Sequence, residues 1–488
     1  MSWSRRAGAL AAVSSLTFCV PILPAPMAWA MEPPKIPANP QIPGDPPAAP
    51  DQPMRFNEQK PCALPGVLPT PPVGDVPQAQ VMLGLEEAHK SATGAGVKVA
   101  VIDTGVARNP RIDVEPGGDY IVAADNGLVD CDMHGTLVAS IIAGKPDPAD
   151  PFVGMAPDAQ IISIRQSSGH WSPENPPRSL NPQQEETAGK IETLAAALVK
   201  AVNLGARVVN MSVVSCVAVA RPIDQAKLAI AIWYAAVIKD AVLVAAAGNV
   251  GGDNPGCQQN PGYDPVTPGD PNIPGSERNW EHVVVESLPS AYSDYVIGVA
   301  SVDDNGSAPE ARNAAQFSMN GPWVSLAAPG VNIVALGPDG KPINALPGQN
   351  GLVNIYGTSF SAAYVSGLAA QLRSDPRYKD YSAAQIRRRM QLTAHAGPRG
   401  VDNAIGYGLI DPVAALNWTF QDGPGPSKIV ESHREKVIVT PPPLPPTKAP
   451  HQWALLISAV VMAAGLGGRQ LWKIWNQSRR SEKSKGAH

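Results

Sequence analysis

The middle of this chain alternates short apolar runs with segments of helical periodicity, and this alternation constrains the fold more than any other feature. We interpret as strands the runs at 97–102, 160–164, 207–213, 241–247 and 295–302. Between them, 191–204 and 222–239 have the spacing of helices. Strands that are apolar on both faces are typical of a parallel sheet covered by helices on each side. The sequence therefore predicts an α/β domain with a mostly parallel sheet, and functional loops after its strands.

Proline is distributed unevenly along the chain. The 488 residues would allow two or three domains on length alone, but the 53 prolines are about double the usual share. They are concentrated at 31–77 and 441–450, segments too rich in proline to bury a core of their own. We therefore expect one folded domain between two stiff segments. The formal net charge of −4 gives no indication of nucleic-acid binding, which usually requires a basic domain.

Residues 1–30 have the pattern of a secretory signal peptide. Arg5 and Arg6 precede an apolar stretch at 7–23, and Ala28-Trp29-Ala30 is a small-x-small cleavage site. A membrane anchor is the alternative, but prolines interrupt the stretch. The arginine pair leaves the choice between Sec and twin-arginine export open. We expect cleavage after residue 30, followed by a Pro-rich N-terminal arm at 31–80.

A second apolar run, 453–468, is slightly shorter than the ~20 residues that span a bilayer. It reaches that length at Trp472 if Arg469 extends to the membrane interface. A buried soluble helix is the alternative, but a Pro-rich stalk at 423–450 leaves it nothing to pack against. Six basic residues and one acidic residue follow the run, so the tail at 473–488 is expected inside the cell. This predicts one transmembrane helix at 451–472 in the lipid bilayer of the cell membrane, with an extracytoplasmic main domain.

Four cysteines remain after removal of the signal, and they indicate two disulfides in an oxidising compartment. The residues leave three connectivities open; they are Cys62, Cys131, Cys216 and Cys257. Their spacing does not match that of a zinc site, and we expect neither a metal nor a cofactor.

Four polar residues stand at the ends of predicted strands or the starts of predicted helices: Asp103, His134, Asn249 and Ser359. Each has an ordinary structural explanation, since aspartate and asparagine form turns, serine caps helices and most histidines lie at surfaces. Val-Ile-Asp-Thr-Gly at 101–105 could also be a phosphate-binding turn like that of actin-like ATPases, but no second phosphate loop accompanies it. Together they form the set needed for nucleophilic catalysis, in which histidine activates serine and a carboxylate holds the histidine.

With these residues in place, 81–418 resembles the subtilisin-like serine peptidases, or subtilases. The matching motifs follow one another in the family's order: Val-Ile-Asp-Thr-Gly-Val at 101–106, His-Gly-Thr-x-Val-Ala at 134–139, Asn-Met-Ser at 210–212, Ala-Ala-Gly-Asn at 246–249, Gly-Thr-Ser at 357–359 and Gly-Tyr-Gly-Leu-Ile-Asp at 406–411. The resemblance implies a three-layer subtilisin-like fold over 81–422.

The same resemblance implies a role for each of these residues. Asp103 orients the ring of His134, His134 acts as general base and then acid, and Ser359 attacks the carbonyl. Asn249 and the Ser359 N–H form the oxyanion hole. Ser212 and Val213 are expected to contact substrate.

This chain also departs from the family pattern. Subtilases usually have glycines after Asn-Met-Ser, whereas Val213 follows here and narrows the expected specificity. The arm at 31–80 is shorter and richer in proline than a folded inhibitory prodomain.

The arm, stalk, single span and basic tail together resemble the mycosins, a membrane-bound subtilase branch associated with type VII (ESX) secretion. This implies a serine endopeptidase that cleaves secretion-associated protein or peptide substrates and supports the components of the membrane secretion complex. The alternative is a scaffold of that complex with secondary proteolysis.

In the resembled fold, the pairings Cys62–Cys131 and Cys216–Cys257 are expected, and the first would hold the arm beside His134. Two long loops, at 166–189 and 250–294, are expected to gate substrate, dock a partner, or be tolerated insertions.

Overall fold

The computed structural model describes residues 31–175, 182–251, 256–260, 280–303, 314–397, 400–419 and 472–473. The predicted signal peptide and stalk, and the predicted span apart from Trp472, lie outside these residues. Within them, no helix has both the length and the apolar character needed to cross a bilayer.

The strands in the described residues are short, and most are buried. They are β1 (Met54–Phe56), β2 (Lys98–Asp103), β3 (Val114–Asp119), β4 (Gln160–Arg165), β5 (Trp171–Pro173), β6 (Val208–Met211), β7 (Ser215–Ala218), β8 (Val242–Ala246), β9 (Val285–Leu288), β10 (Val296–Val302), β11 (Val324–Pro329), β12 (Ala335–Leu336), β13 (Pro342–Ile343), β14 (Ala345–Gly348) and β15 (Gly351–Asn354).

The α-helices are α1 (Gln78–Met82), α2 (Leu85–His89), α3 (His134–Ala143), α4 (Pro182–Asn203), α5 (Ala226–Trp233), α6 (Thr358–Ser374), α7 (Ala383–Thr393) and α8 (Pro412–Asn417). A π-helical turn, Tyr234–Ile238, continues α5.

Seven strands form one parallel sheet in the order β11-β10-β8-β6-β2-β4-β3. Helices α3 and α6 pack together against it, and α4 packs on α5 and on the sheet. Every residue of β6, β8 and β10 is buried, so both faces of the sheet are covered. The predicted parallel α/β architecture is confirmed.

Sequence periodicity located the central strands but missed β3 and β11, which lie at the two edges of the sheet. The sequence of β3, Val-Glu-Pro-Gly-Gly-Asp, has no apolar run, and its register shifts between Pro116 and Gly118. Proline is tolerated in edge strands because one side of such a strand needs no ladder hydrogen bonds.

Two predicted helix starts are wrong. Helix α4 begins at Pro182 instead of near 191, because its first turns contain polar helix-forming residues that give no apolar periodicity. The loop predicted at 166–189 is correspondingly shorter. Helix α5 begins at Ala226 instead of 222, because the Asp224 carboxylate accepts the Ala226 N–H at 2.9 Å and forms a turn before the helix.

The loop predicted at 250–294 is not free of secondary structure, since it contains β9. This strand pairs antiparallel with β7 and carries the buried polar residues Glu286 and Ser287. These two residues interrupt the apolar pattern by which a strand would be recognised.

The Pro-rich arm lies along the surface of the domain and is attached at several points. Strand β1 pairs with β5, the Asp45 carboxylate bonds Lys200, and the Asn344 amide bonds the carbonyl of Leu68. The arm thus folds onto the domain without a core of its own. Helix α1, Gln78–Met82, spans the predicted boundary at residue 80.

The structure contains both predicted disulfides. Cys62–Cys131 connects the arm to the segment just before α3, and Cys216–Cys257 connects β7 to the loop after β8. The first disulfide lies three positions from His134 in sequence, so it fixes the arm next to the candidate site.

Candidate active site

Asp103 is the last residue of β2, and its side chain is buried at the carboxyl edge of the sheet. Its Oδ1 accepts the Thr104 N–H at 2.7 Å and the His134 Nδ1–H at 2.6 Å. A carboxylate can only accept, so this bond places the ring proton on Nδ1 and leaves Nε2 as the basic nitrogen.

His134 is the first residue of α3, and a close backbone contact holds the helix start against β2. A Cβ on Gly135 would lie 2.1 Å from the Gly105 carbonyl oxygen and 3.0 Å from Cβ of Asp103. Only glycine allows this approach.

Two opposing effects set the pKa of His134. Burial acts to lower it, whereas the charge and hydrogen bond of Asp103, with the charges of Asp130 and Asp132, act to raise it. The net result is a pKa above the ordinary imidazole value. The side chain is 28% exposed, so the ring is partly accessible from solvent.

Ser359 is the second residue of α6, two positions after Gly357, whose φ of 148° favours glycine. Its backbone N–H belongs to the first helical turn, where N–H groups have no acceptor within the helix. The Ser359 hydroxyl donates to the Ser212 carbonyl at 3.3 Å. The ring of Phe360 packs on that of His134 with centroids 5.3 Å apart, so α6 begins beside the histidine.

Asn249 follows β8, and its amide orientation is set by Thr358. The Asn249 Oδ1 accepts the Thr358 N–H at 3.1 Å and the Thr358 hydroxyl at 2.9 Å. Because the oxygen is engaged in this way, the amide NH₂ is left as the donating end. Thr358, adjacent to Ser359, is a residue that sequence reasoning missed, although it lies within the Gly-Thr-Ser motif.

Ser212 and Val213 follow β6, and Ser212 lies against the start of α6. The Ser212 hydroxyl donates to the Ser359 carbonyl at 3.2 Å, and Val213 is half-buried against the core.

Sequence reasoning missed Asp130 and Thr136, which lie close to His134 in the chain and are linked by hydrogen bonds. The Asp-x-x-x-His spacing could have indicated the first of them. Within the described residues, no cluster of three potential metal ligands occurs.

Comparison with known proteins agrees with this architecture. The subtilase family (Peptidase_S8) matches residues 94–408. The chain is 46% identical to mycosin-1 of Mycolicibacterium smegmatis over 460 residues, which covers 93% of this chain and 96% of the relative. It is 43% identical to mycosin-3 of Mycobacterium tuberculosis, with coverages of 82% and 84%.

Solved structures give the same result. The crystal structure of MycP1 from the ESX-1 type VII secretion system superposes with a TM-score of 0.73 at 48% identity, covering 80% of this chain and 97% of that one. A chain in the structure of an intact ESX-5 inner membrane complex superposes with a TM-score of 0.74 at 42% identity, with coverages of 90% and 99%. The chain has a subtilisin-like fold and belongs to the mycosin branch of the subtilase family of serine proteases.

Proposed function

We propose that this serine protease is an endopeptidase whose catalytic triad is Asp103, His134 and Ser359. The observation that carries the proposal is the 2.6 Å hydrogen bond from His134 Nδ1 to buried Asp103, with Ser359 at the start of a helix packed on the histidine ring. This arrangement holds one ring nitrogen and leaves the other to accept a proton.

In the proposed reaction, His134 Nε2 takes the Ser359 hydroxyl proton as the oxygen attacks a peptide carbonyl. The Asn249 amide and the Ser359 N–H donate to the developing oxyanion. His134 then gives its proton to the leaving amine, and water hydrolyses the acyl-enzyme by the same steps in reverse. The Ser359–Ser212 hydrogen bond, 3.3 Å long, is replaced by one to His134 when substrate binds.

The proposed substrates are proteins associated with type VII secretion, cleaved outside the cytoplasmic membrane. Support comes from the relatives, whose structures are described as belonging to ESX-1 and ESX-5 systems. The proposed topology is a signal at 1–30, an arm at 31–80, a peptidase domain at 81–422, a stalk at 423–450, a single span at 451–472 and a cytoplasmic tail at 473–488.

The proposal is tested by comparing secreted proteins from cells that carry the native chain, Ser359→Ala or Ser361→Ala. Ser361 is a matched control because it is buried in the same helix and its hydroxyl donates to the Pro329 carbonyl at 3.1 Å. We expect uncleaved substrate to accumulate only with Ser359→Ala. Full processing in that variant would contradict the triad.

A second candidate function is structural support of a membrane secretion complex. It is favoured by the likeness to a chain of the intact ESX-5 inner membrane complex, which covers 90% of this chain. The same experiment distinguishes the two. If Ser359→Ala abolishes processing but secretion continues, support of the complex is the essential role.

A further inference from the structure

A second buried carboxylate, Asp130, lies close to the proposed triad and has no part in the reaction described above. It is 7% exposed and stands four positions before His134. A buried charge is costly unless hydrogen bonds or opposite charges compensate for it.

Three donors converge on this carboxylate. Oδ1 accepts the Thr104 hydroxyl at 2.8 Å, and Oδ2 accepts both the N–H and the hydroxyl of Thr136, at 2.8 and 2.7 Å. Each hydroxyl also accepts a backbone N–H, from Gly135 at 3.0 Å and from Ala107 at 2.9 Å. Each hydroxyl thus accepts one N–H and donates its own proton to Asp130, so three donors face the carboxylate, which is the pattern of an ionised acceptor.

These bonds join the two elements that carry Asp103 and His134. Thr104 follows Asp103 at the end of β2, while Gly135 and Thr136 follow His134 at the start of α3. The Asp130 carboxylate therefore ties the strand end to the helix start, and the Asp103–His134 hydrogen bond lies across the same junction.

The charge of Asp130 acts on His134, and the hydrogen-bond partners of Asp130, Thr104 and Thr136, are neutral. The other charged groups around the junction are already engaged. Asp103 bonds His134 and Asp132 bonds His170 at 3.0 Å. Among the nearby cations, Arg165 bonds Asp119 and Asp125, and Lys60 bonds the Gly169 carbonyl.

The ionisation of Asp130 is finely balanced. Burial, together with the Asp103 charge, raises its pKa to about 7, and the hydrogen bonds from Thr136 and Thr104 oppose this rise. While it is ionised, its negative charge favours the imidazolium and contributes to the raised pKa of His134. Loss of that charge can only move the protonation of His134 to lower pH.

We propose that Asp130 is a positioning residue for the triad, which fixes the junction of Asp103 and His134 through Thr104 and Thr136 and stabilises the imidazolium by its charge. The inference deepens the proposed peptidase function and rests on it. Asp130 touches neither substrate nor the reacting atoms, so its effect is exerted through His134.

The test measures the rate at which a fluorophosphonate probe labels Ser359 as a function of pH. Such a probe needs no knowledge of the natural substrate. The folded chain is compared with Asp130→Asn, which keeps the shape of the side chain, and with Asp150→Asn as control. Asp150 is a largely buried carboxylate that bonds Arg111, and it is not among the main charges that raise the pKa of His134.

For Asp130→Asn we expect the alkaline plateau rate to fall roughly three- to tenfold and the acid limb to move to lower pH. A merely structural role would lower the plateau without moving the limb. Asp150→Asn is expected to keep the native plateau rate and the native position of the acid limb. An acid limb unchanged in Asp130→Asn would overturn the inference while labelling of the native chain still supported the triad. Absence of labelling in the native chain would overturn the triad, and the inference with it.

A second pair of variants covers the case in which Asp130→Asn does not fold. Thr104→Val removes one hydroxyl bridge and keeps the charge, whereas Thr104→Ser keeps both. We expect Thr104→Val to lower the plateau labelling rate. Thr104→Ser should retain at least half of the native plateau rate. Equal plateau rates for the native chain and Thr104→Val would contradict the bridging role.

Discussion

At the residue scale, the Asp103 carboxylate determines which ring nitrogen of His134 carries the proton. Its Oδ1 accepts the Nδ1–H, and its Oδ2 is buried without a hydrogen-bond partner in the described part of the chain. The hydrogen bond to Asp103 therefore holds the His134 ring in a single tautomer.

The variant Asp103→Asn tests whether this tautomer is needed for activity. An amide can donate to Nδ1, which would place the proton on Nε2 and remove the base. We expect the rate of peptide cleavage to fall about 10⁴-fold at neutral pH with little change in thermal stability. Steady-state kinetics would check this, and a loss smaller than tenfold would count against the role of Asp103.

The variant Asn249→Ala tests whether the Asn249 amide stabilises the developing oxyanion. Removing one side-chain donor typically lowers kcat about 10²- to 10³-fold while KM changes little, because the interaction forms only in the transition state. The proposed role predicts this separation of kcat from KM. A variant that raised KM and kept kcat would instead place Asn249 in ground-state binding.

At the scale of elements, the arm depends on a covalent attachment as well as on β1–β5 pairing. Replacing Cys62 and Cys131 by Ser removes a disulfide between residues separated by 69 positions. Loop-closure entropy predicts a loss of ~4 kcal/mol of unfolding free energy.

We also expect faster hydrogen exchange in β1 when this disulfide is removed, because the neighbouring arm segment is released. The matched control replaces Cys216 and Cys257, which are separated by 41 positions and do not hold the arm. It should lose a similar stability without faster exchange in β1. Equal protection of β1 in both variants would show that strand pairing alone holds the arm.

The β7–β9 pair contains a buried acid, Glu286, whose pKa burial raises to about 7, against the opposing hydrogen bond from Gln225. An unfolded glutamate titrates near ~4.3, so between these values the folded state binds a proton that the unfolded state has released. The free energy of unfolding therefore falls as the pH rises from about 4.5 to 7.

Glu286→Gln should remove this pH dependence and stabilise the fold by roughly 2–4 kcal/mol at pH 8, with no gain at pH 4. Thermal unfolding at the two pH values measures the difference. A variant that is less stable than the native chain at pH 8 would show that the Glu286 carboxylate is compensated in the folded state.

At the scale of the whole molecule, the apolar runs were sufficient to predict the central strands, because each is buried on both faces. Edge strand β3 and the polar start of α4 gave no such pattern and were missed. The order Asp103, His134, Ser359 allowed a hypothesis about the site, since each residue adjoins a strand end or opens a helix. Thr358 was missed because it bonds Asn249, 109 positions away, and single-sequence patterns do not report such contacts. Asp130 was missed although it stands only four positions before His134.

The uneven distribution of proline takes on a structural meaning for the arm. Its residues form one short strand and several attachments to the peptidase domain, so the segment adds contacts without adding a core. The proposed stalk, span and tail would connect the same domain to a membrane.

The central claim is that Ser359 is the nucleophile activated by His134. It is tested most directly by mass spectrometry of the chain after treatment with a fluorophosphonate, beside His134→Ala as control. The account predicts one adduct, on Ser359, in the native chain and none in His134→Ala. An unmodified Ser359 in the native chain, or equal modification in both proteins, would contradict it.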